Sequence, residues 1–412
     1  MKLINLTPIE YNNYVYTHNY SSFYQSLEYA RFMEEEGFDY DLIGLKDAYD
    51  NIIAASLILL RKIDNKHLFG YAPRGFLIDY NDKELVKDFA KTLSKYYKKR
   101  NVIFIKINPN IIISKYDKNT NKFFYNDNFR YIDYFKKNKF QELKRSKYFE
   151  SVIPSFSPII NLKTFAFNKL NKNVRNKISK CYRKGLSIDK GDIKSLEELY
   201  PLVKNKTKKE IKYYDNLLRS FEKSKNIDIF LIKVNFEEFL INTKAKYQTT
   251  LEKSNILNKI VTLKNSEKYL NLKMQIDREL ETYKNDIMIA TNGLSKNKYK
   301  VVGGAIVIKH KNKATVFVSG YDKNYRSLNI NDFLYYKLIE YYKYVYDFLD
   351  IDGYCGDLSD SNPYIGLNNF KKGFNPEIYE YIGEFDIIFK KNIYNKISSN
   401  GTLSKLFRKI KQ

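Results

Sequence analysis

The chain has 412 residues, with 72 Lys and Arg against 47 Asp and Glu and a formal net charge of +25. That length accommodates two or three domains with sizeable cores, and the charge favours a polyanionic partner (RNA, phosphorylated lipid or an acidic membrane surface) over a neutral one, the competing reading being a solvated surface produced by a bias toward Lys, Asn, Ile and Tyr. Two distant cysteines, Cys181 and Cys355, exclude a disulfide framework; the start, Met1–Glu10, lacks a signal-peptide core; and the strongest apolar run, Ile52–Leu60, is too short to cross a bilayer. The expectation is a cytoplasmic protein, peripheral to a membrane at most.

In chain order, Tyr40–Leu45, Asn51–Ile63 and His67–Leu77 read as strands, the third containing an aromatic–Arg–Gly turn. A helix follows over Asp82–Lys98, with Leu85, Phe89, Leu93 and Tyr96 on one face, and then a buried-looking strand over Val102–Ile107. Ser151 to Ile188 holds no acidic residue; Lys172, Arg175, Lys177, Lys180, Arg183 and Lys184 fall at helical spacings and form the densest candidate for RNA phosphates, a merely solvated face being the alternative. Ile227–Val234 reads as a strand. From Phe236 to Ile287 the pattern changes to a helical hairpin: Phe236, Leu240, Tyr247 and Leu257 on one arm, and Tyr269, Leu272, Ile276, Leu280, Tyr283 and Ile287 on the other, reversed at Asn265 and Ser266. At 1.5 Å per residue each helix reaches roughly 30 Å, which suits a projecting arm that holds a large partner; the alternative is a hairpin folded back on its domain. Val301–Ile308 and Ala314–Ser319 form a strand hairpin, followed by a helix over Asn331–Tyr346 and a strand over Phe348–Ile351. The tail places Leu403, Leu406, Phe407 and Ile410 opposite Lys405, Arg408, Lys409 and Lys411, a basic amphipathic helix suited either to an anionic membrane or to docking on the protein.

Strand–strand–helix–strand thus occurs twice, which predicts a duplicated α/β unit of the acetyltransferase (GNAT-like) order, with the helical arm inserted in the second copy. The boundaries expected are 1–158 for the first unit, 159–235 with 291–395 for the second, 236–290 for the arm and 396–412 for the tail. The Gly-rich turn that would hold a pyrophosphate at a helix N-terminus is missing; Asn329-Ile330-Asn331 stands there instead, which argues against acetyl-CoA as donor. His18, His67 and His310 lack metal-ligand spacing, and no nucleotide fingerprint is present, so neither a metal nor a cofactor is expected.

Several strings resemble the Fem family of peptidoglycan interpeptide-bridge aminoacyltransferases: Ser22-Phe-Tyr-Gln-Ser26, Arg74-Gly-Phe-Leu-Ile-Asp-Tyr80, Val174-Arg-Asn-Lys-Ile178, Gly366-Leu-Asn-Asn-Phe-Lys-Lys-Gly-Phe374 and Glu377-Ile-Tyr-Glu-Tyr-Ile-Gly-Glu-Phe385. Their order around a helical arm carries the resemblance over nearly the whole chain. It implies two acetyltransferase-like domains with a coiled-coil arm. It also implies transfer of an amino acid, glycine by nearest likeness, from aminoacyl-tRNA to an amino group on the stem peptide or growing bridge of a lipid-linked precursor, at the inner face of the plasma membrane. A homo- or heterodimer with related Fem proteins is a further implied partner. A variant reading keeps the chemistry but makes the protein an immunity factor that places, for example, serine in the bridge. A reading from another class is a non-catalytic adaptor for tRNA or membrane.

On this resemblance Lys371 matches the Phe-Lys motif and would stabilise an oxyanion or a substrate phosphate, with Lys372 its confusable neighbour. Arg74 would face acceptor phosphates or carboxylates, or else brace its turn against Asp79. Asn108 stands where members often carry Asp before Pro, Met33 where a Lys is frequent with only Arg31 nearby, and Lys208–Tyr214 offers lysines where an Arg precedes the paired Tyr that includes Tyr213. These departures bear on the acceptor site.

Overall fold

The computed structural model describes residues 2–263, 266–399 and 401–411, without the side chains at 404 and 408–411. Two sheets organise it. The first runs, in spatial order, Lys2–Asn5, Asp39–Lys46, Ile52–Lys62, Leu68–Ala72, Val102–Ile107, Phe385–Ile388 and Phe140–Glu142, with Leu77–Ile78 paired to Ile52–Lys62. The second runs Leu186–Gly191, Ile227–Asn235, Tyr299–His310, Lys313–Tyr321, Phe348–Asp350, Phe156–Asn161, Glu377–Tyr381, Ile112–Asp117 and Lys122–Tyr125. Each sheet contains one parallel pair, Leu68–Ala72 with Val102–Ile107 and Lys313–Tyr321 with Phe348–Asp350. Each pair is connected by a helix, Lys83–Lys99 and Ile330–Tyr342, as a crossover between parallel strands requires. The expected architecture of two acetyltransferase-like halves therefore holds. The sheets exchange strands across the division expected near residue 158: the hairpin Ile112–Tyr125 adds to the second sheet, and Phe385–Ile388 inserts into the first.

Local chemistry explains the helices. Asp82 caps the first crossover by accepting from the Leu85 amide at 2.9 Å, and Leu85, Phe89, Leu93 and Tyr97 bury one stripe. Tyr97, rather than Tyr96, ends that stripe. The second crossover stops at Tyr342, four residues early, because the turn that follows, with exposed Tyr344 and Val345, swings the chain back so that Asp347 and Phe348 reach Asn312. Gln25, from the Ser22–Ser26 string, is fully buried. Its amide donates to the Pro73 carbonyl at 2.7 Å and its Oε1 accepts from the Leu57 amide at 2.9 Å, which fixes the Pro73–Arg74 turn over the first sheet. Helices Leu27–Glu35 and Ile211–Glu222 pack together, so one core cluster contains Phe32 and Phe69 of the first half with Leu217, Phe221 and Ile306 of the second.

The arm is a pair of 28-residue helices, Phe236–Leu263 and Glu267–Leu294, about 40 Å long at 1.5 Å per residue. Asn265 lies outside the described residues. The buried seam of the first helix is Phe236, Thr243, Thr250, Ser254 and Leu257, a heptad-like series that includes three hydroxyl residues which an apolar pattern does not reveal. On the second helix Leu280 and Ala290 are buried, while Leu272 is 42% exposed and off the seam. Phe236 seats the arm on its domain, packed against Gly293 and 5.7 Å from the Tyr325 ring.

The tail helix Thr402–Lys411 takes the docked one of the two arrangements its amphipathic pattern allows: Leu403, Leu406 and Phe407 pack against the shared core cluster; Ile410 and the basic residues at 408, 409 and 411 belong to the positions whose side chains are not described. No described helix is long and apolar enough to cross a membrane.

A methyl group at position 293 would stand 2.4 Å from the Phe236 ring. Gly293→Ala should therefore cost about 1–3 kcal/mol through overpacking, read as a lowered urea midpoint. Gly366→Ala, within a helix and with nothing within 4 Å of the added methyl, should be neutral or stabilising; equal midpoints for the two variants would remove the packing role of Gly293.

Candidate active site

The ends of the two parallel pairs supply the site. Past Ala72 the chain of the first half turns at Arg74, which holds a left-handed backbone (φ 53). Asn108, at the end of the neighbouring strand, accepts from the Arg74 amide at 2.8 Å through Oδ1, with the Tyr71 hydroxyl at 3.5 Å. Asn108 is 3% exposed and its Nδ2 has no partner among the described residues, a donor that a bound acceptor group would satisfy. Arg74 does not brace its turn through Asp79. Its Nη2 donates to the Pro154 carbonyl at 2.9 Å, and its guanidinium lies 3.8 Å from the Tyr381 ring centroid. It is 7% exposed and ties the first half to the linker and to the second sheet.

In the second half the parallel strands bond only over Lys313–Thr315 and Phe348–Asp350. They then diverge: one continues to Tyr321, while the Ile351 amide turns to the Pro158 carbonyl. The gap is lined by side chains. Lys206 donates to the Ser319 carbonyl at 2.8 Å, and the Ser319 and Tyr335 hydroxyls meet at 3.1 Å. Lys371, at the end of helix Ile365–Lys372 and 6% exposed, directs its ammonium at the carbonyls of Ile351, Asp352 and Gly353. An ammonium has three N–H donors, so all three are engaged. Asp352 and Gly353 both hold left-handed backbones (φ 42 and 58), the strain of a non-Gly residue there being secured by this cap. Burial pulls the Lys371 ammonium down to about 8, against the opposing pull of Asp352 and Asp350. Burial, with the Asp350 carboxylate beside it, pushes the Asp352 carboxyl up to about 6, against Lys371 and Arg74.

The two strand ends come near one another, Arg74 and Asp352 lying within electrostatic range. Tyr24, Tyr29 and Tyr71 are close enough to sense one another's charge, and Tyr24 also senses Arg74 and Asp352; burial drives the Tyr24 and Tyr71 hydroxyls well above their ordinary range. Tyr213 joins this group from the second half. Half-buried, it packs edge-on against Phe32 at 5.0 Å and carries the Lys209 ammonium 4.3 Å above its ring. Lys209 thus supplies a cation where an Arg was sought. Met33 is buried in the core, and Arg31 is exposed with no side-chain hydrogen bond or ion pair among the described residues. Lys372 is not brought to this group; it donates to the Tyr116 hydroxyl at 3.0 Å on the far hairpin. A cavity of about 410 Å³ opens at the seam of the halves beside the two strand ends, lined by Tyr20, Ser21, His310, Lys313 and Tyr381 among others; the Tyr381 ring carries the Arg74 guanidinium and Lys313 stands 3.6 Å from Asp350.

The basic helix Lys172–Arg183 lies beside the arm. A groove of about 450 Å³ runs between them, lined by Lys180, Arg183, Lys184, Lys246 and the turn Ser327–Asn329. Asn329 holds the left-handed conformation (φ 54) that a Gly commonly provides, at the N-terminus of the helix Ile330–Tyr342 that carries Tyr335 into the strand gap. Two of the six basic residues are committed internally: Lys184 pairs with Asp286 at 2.8 Å and Lys177 with Asp332 at 3.3 Å. Arg175 is half-buried with its Nε unpaired, whereas Lys172 and Lys180 are exposed. Asp352 and Lys206 carry no motif in the sequence beyond an Asp-x-Asp-Gly run closing a buried strand for the first, while Lys209 is one of the lysines of the Lys208–Tyr214 stretch.

The FemAB family matches residues 6–399. "Aminoacyltransferase FemA" of Staphylococcus epidermidis is 25% identical, aligned over 96% of this chain and 98% of its own length. The protein of the same name from Staphylococcus aureus strain MRSA252 is 24% identical over 96% and 97%. A solved structure, "Crystal structure of FemX", shares the fold with a TM-score of 0.73 at 18% identity, covering 96% of this chain and 100% of that one. With a match spanning nearly every residue, both strand ends and the arm included, the chain belongs to the FemAB family.

Proposed function

We propose that the protein is an aminoacyltransferase that moves an amino acid, glycine by the nearest likeness, from aminoacyl-tRNA to the stem peptide or growing bridge of a lipid-linked peptidoglycan precursor at the cytoplasmic membrane face. The observation that carries this reading is the proximity of the two strand ends, Arg74–Asn108 and Asp352–Lys371, with Arg74 and Asp352 within electrostatic range of each other. The alignment with relatives named aminoacyltransferases supports it.

The reaction is aminolysis of an ester. The acceptor amine attacks the carbonyl carbon, a C–N bond forms, the C–O bond to the ribose breaks, and the amine proton ends on the ribose oxygen. Positioning of the two reactants supplies much of the rate. The acceptor peptide lies against Tyr71, Arg74 and Asn108, whose free Nδ2 donates to a peptide carbonyl; Arg31, Lys209 and Tyr213 flank its charged end. The aminoacyl ester occupies the gap beside Ser319 and Tyr335. Because Asn108 cannot accept a proton, Asp352 takes that role, its pKa raised toward the working pH. Lys371 holds the turn that carries Asp352 and supplies the positive charge nearest the developing oxyanion. The RNA phosphates run along the groove between the basic helix and the arm, where Lys180, Arg183 and Lys246 are the accessible cations, with Lys172 and Arg175 on the same helix outside the groove lining.

The deciding experiment offers a pool of charged tRNA to precursors bearing zero, one or three bridge residues. Incorporation identifies donor and acceptor length together; its absence, with folded RNA-binding protein, favours the adaptor reading. Lys371→Met should reduce transfer by about 10²–10³-fold and leave RNA binding intact, and transfer at full rate would remove Lys371 from the mechanism.

The combined variant Lys180→Glu, Arg183→Glu should weaken tRNA binding and shallow its log–log salt dependence by about one to two units; an unchanged slope would place the phosphates elsewhere.

A carboxyl with a raised folded pKa contributes stability that is fully present below its unfolded value and is lost as pH rises through the folded one. For Asp352 that window runs from 3.8 to about 6. Asp352→Asn should abolish this group's fall in melting temperature across the window, lower kcat by about 10²-fold or more, and flatten an activity limb near pH 6. A variant that keeps the wild-type limb would show that Asp352 takes no proton.

A further inference from the structure

The tail helix is docked at the first strand end. The Phe407 ring centroid stands 5.5 Å from Phe69, 6.4 Å from Tyr71 and 6.2 Å from Phe104, and the Lys106 ammonium lies 4.4 Å from its centre. Tyr71 reaches Asn108, which in turn fixes the Arg74 amide. Phe407 is thus one side chain away from the Arg74–Asn108 contact. Lys106, only 2% exposed, is paired with Glu384 and Asp386 beneath it. The docking face is thin. Leu403, Leu406 and Phe407 are each only partly buried, whereas the preceding helix Lys391–Ser399 buries Tyr394 and Ile397. Lys405 is exposed, and in the sequence Arg408, Lys409 and Lys411 follow it.

One apolar face cannot serve two surfaces. An amphipathic helix with an apolar stripe and a cationic face partitions into an anionic bilayer interface by burying that same stripe while its cations meet the headgroups. We propose that the helix Thr402–Lys411 is an exchangeable cap: in free protein it covers the patch of Phe69, Tyr71, Phe104 and Lys106, and at an anionic lipid surface it transfers its apolar face to the lipid and uncovers that patch. Lipid and patch compete for Leu403, Leu406 and Phe407, so membrane contact and uncovering of the patch are one event. This rests on the reading that the acceptor lies against Tyr71 only for its consequence; the exchange itself is a property of the helix.

The chain contains no tryptophan, so Phe407→Trp places a single indole reporter at the contact. Tyr49→Trp, at a position 87% exposed, is the solvent reference. In solution the Phe407→Trp variant should be quenched by acrylamide several-fold less than the Tyr49→Trp variant. On adding vesicles of phosphatidylglycerol with brominated chains, the indole of Phe407→Trp should become lipid-quenched, and in wild-type protein acylation of Lys106 by an amine reagent, followed by mass spectrometry, should rise several-fold. Neutral phosphatidylcholine vesicles should produce neither change. Equal acrylamide quenching of the two variants, together with rapid amide exchange across 402–411 in wild type, would overturn the docking. Absence of lipid quenching would overturn the exchange. Lipid quenching with Lys106 still unreactive would show that the helix reaches lipid without uncovering the patch, which also overturns the proposal. None of these readouts requires transfer, so a failure of the cap and a failure of the proposed reaction remain separate results.

Discussion

Two parallel strands that diverge cannot satisfy each other's backbone, and buried peptide groups must be satisfied by something. This protein meets that requirement with side chains. In the first half Asn108 accepts from the Arg74 amide; in the second Lys371 and Lys206 donate to carbonyls at 351–353 and 319. The groups placed at those gaps are polar because the gaps demand it, and chemistry becomes available as a by-product. The two gaps lie near one another across a core that the helices Leu27–Glu35 and Ile211–Glu222 share. Gln25 holds the turn of the first gap against the sheet beneath it.

The charges around the second gap are balanced against burial more than against each other. Lys371 and Asp352 are each shifted toward neutrality by desolvation, and each resists through the other. The Lys371 ammonium bonds to backbone carbonyls, so its effect is to hold two left-handed residues and a carboxylate in one arrangement, the preorganisation that the proposed transfer would draw on.

Much of the architecture is legible because it rests on periodicity. The crossover helices and flanking strands follow from apolar spacing, and the interrupted second unit follows from a change of period at Phe236. What escapes is non-local. Thr243, Thr250 and Ser254 form the arm's seam, because small hydroxyl residues pack closely yet read as polar. Lys371 is readable through a motif, but its three carbonyl partners lie about twenty residues away on another element. Lys372, its neighbour, points to a different hairpin for no reason that spacing alone supplies. The tail was legible as amphipathic, while the surface that receives it is assembled from strands more than three hundred residues earlier.

The exchange of strands between the sheets has a consequence for how the chain is made. Ile105 of the first sheet pairs with Ile387, and Tyr379 of the second pairs with Lys115. Neither sheet is complete until the strands Glu377–Tyr381 and Phe385–Ile388 have left the ribosome, and contacts of such long sequence separation form slowly. Synthesis therefore yields a first half with the paired face of Val102–Ile107 open, an unprotected edge of the kind that invites aggregation. The two halves are separable as patterns in the sequence but not as closed sheets: a fragment cut at the apparent boundary would leave the first sheet without Phe385–Ile388 and strand the hairpin 112–125 away from the second sheet, to which it belongs.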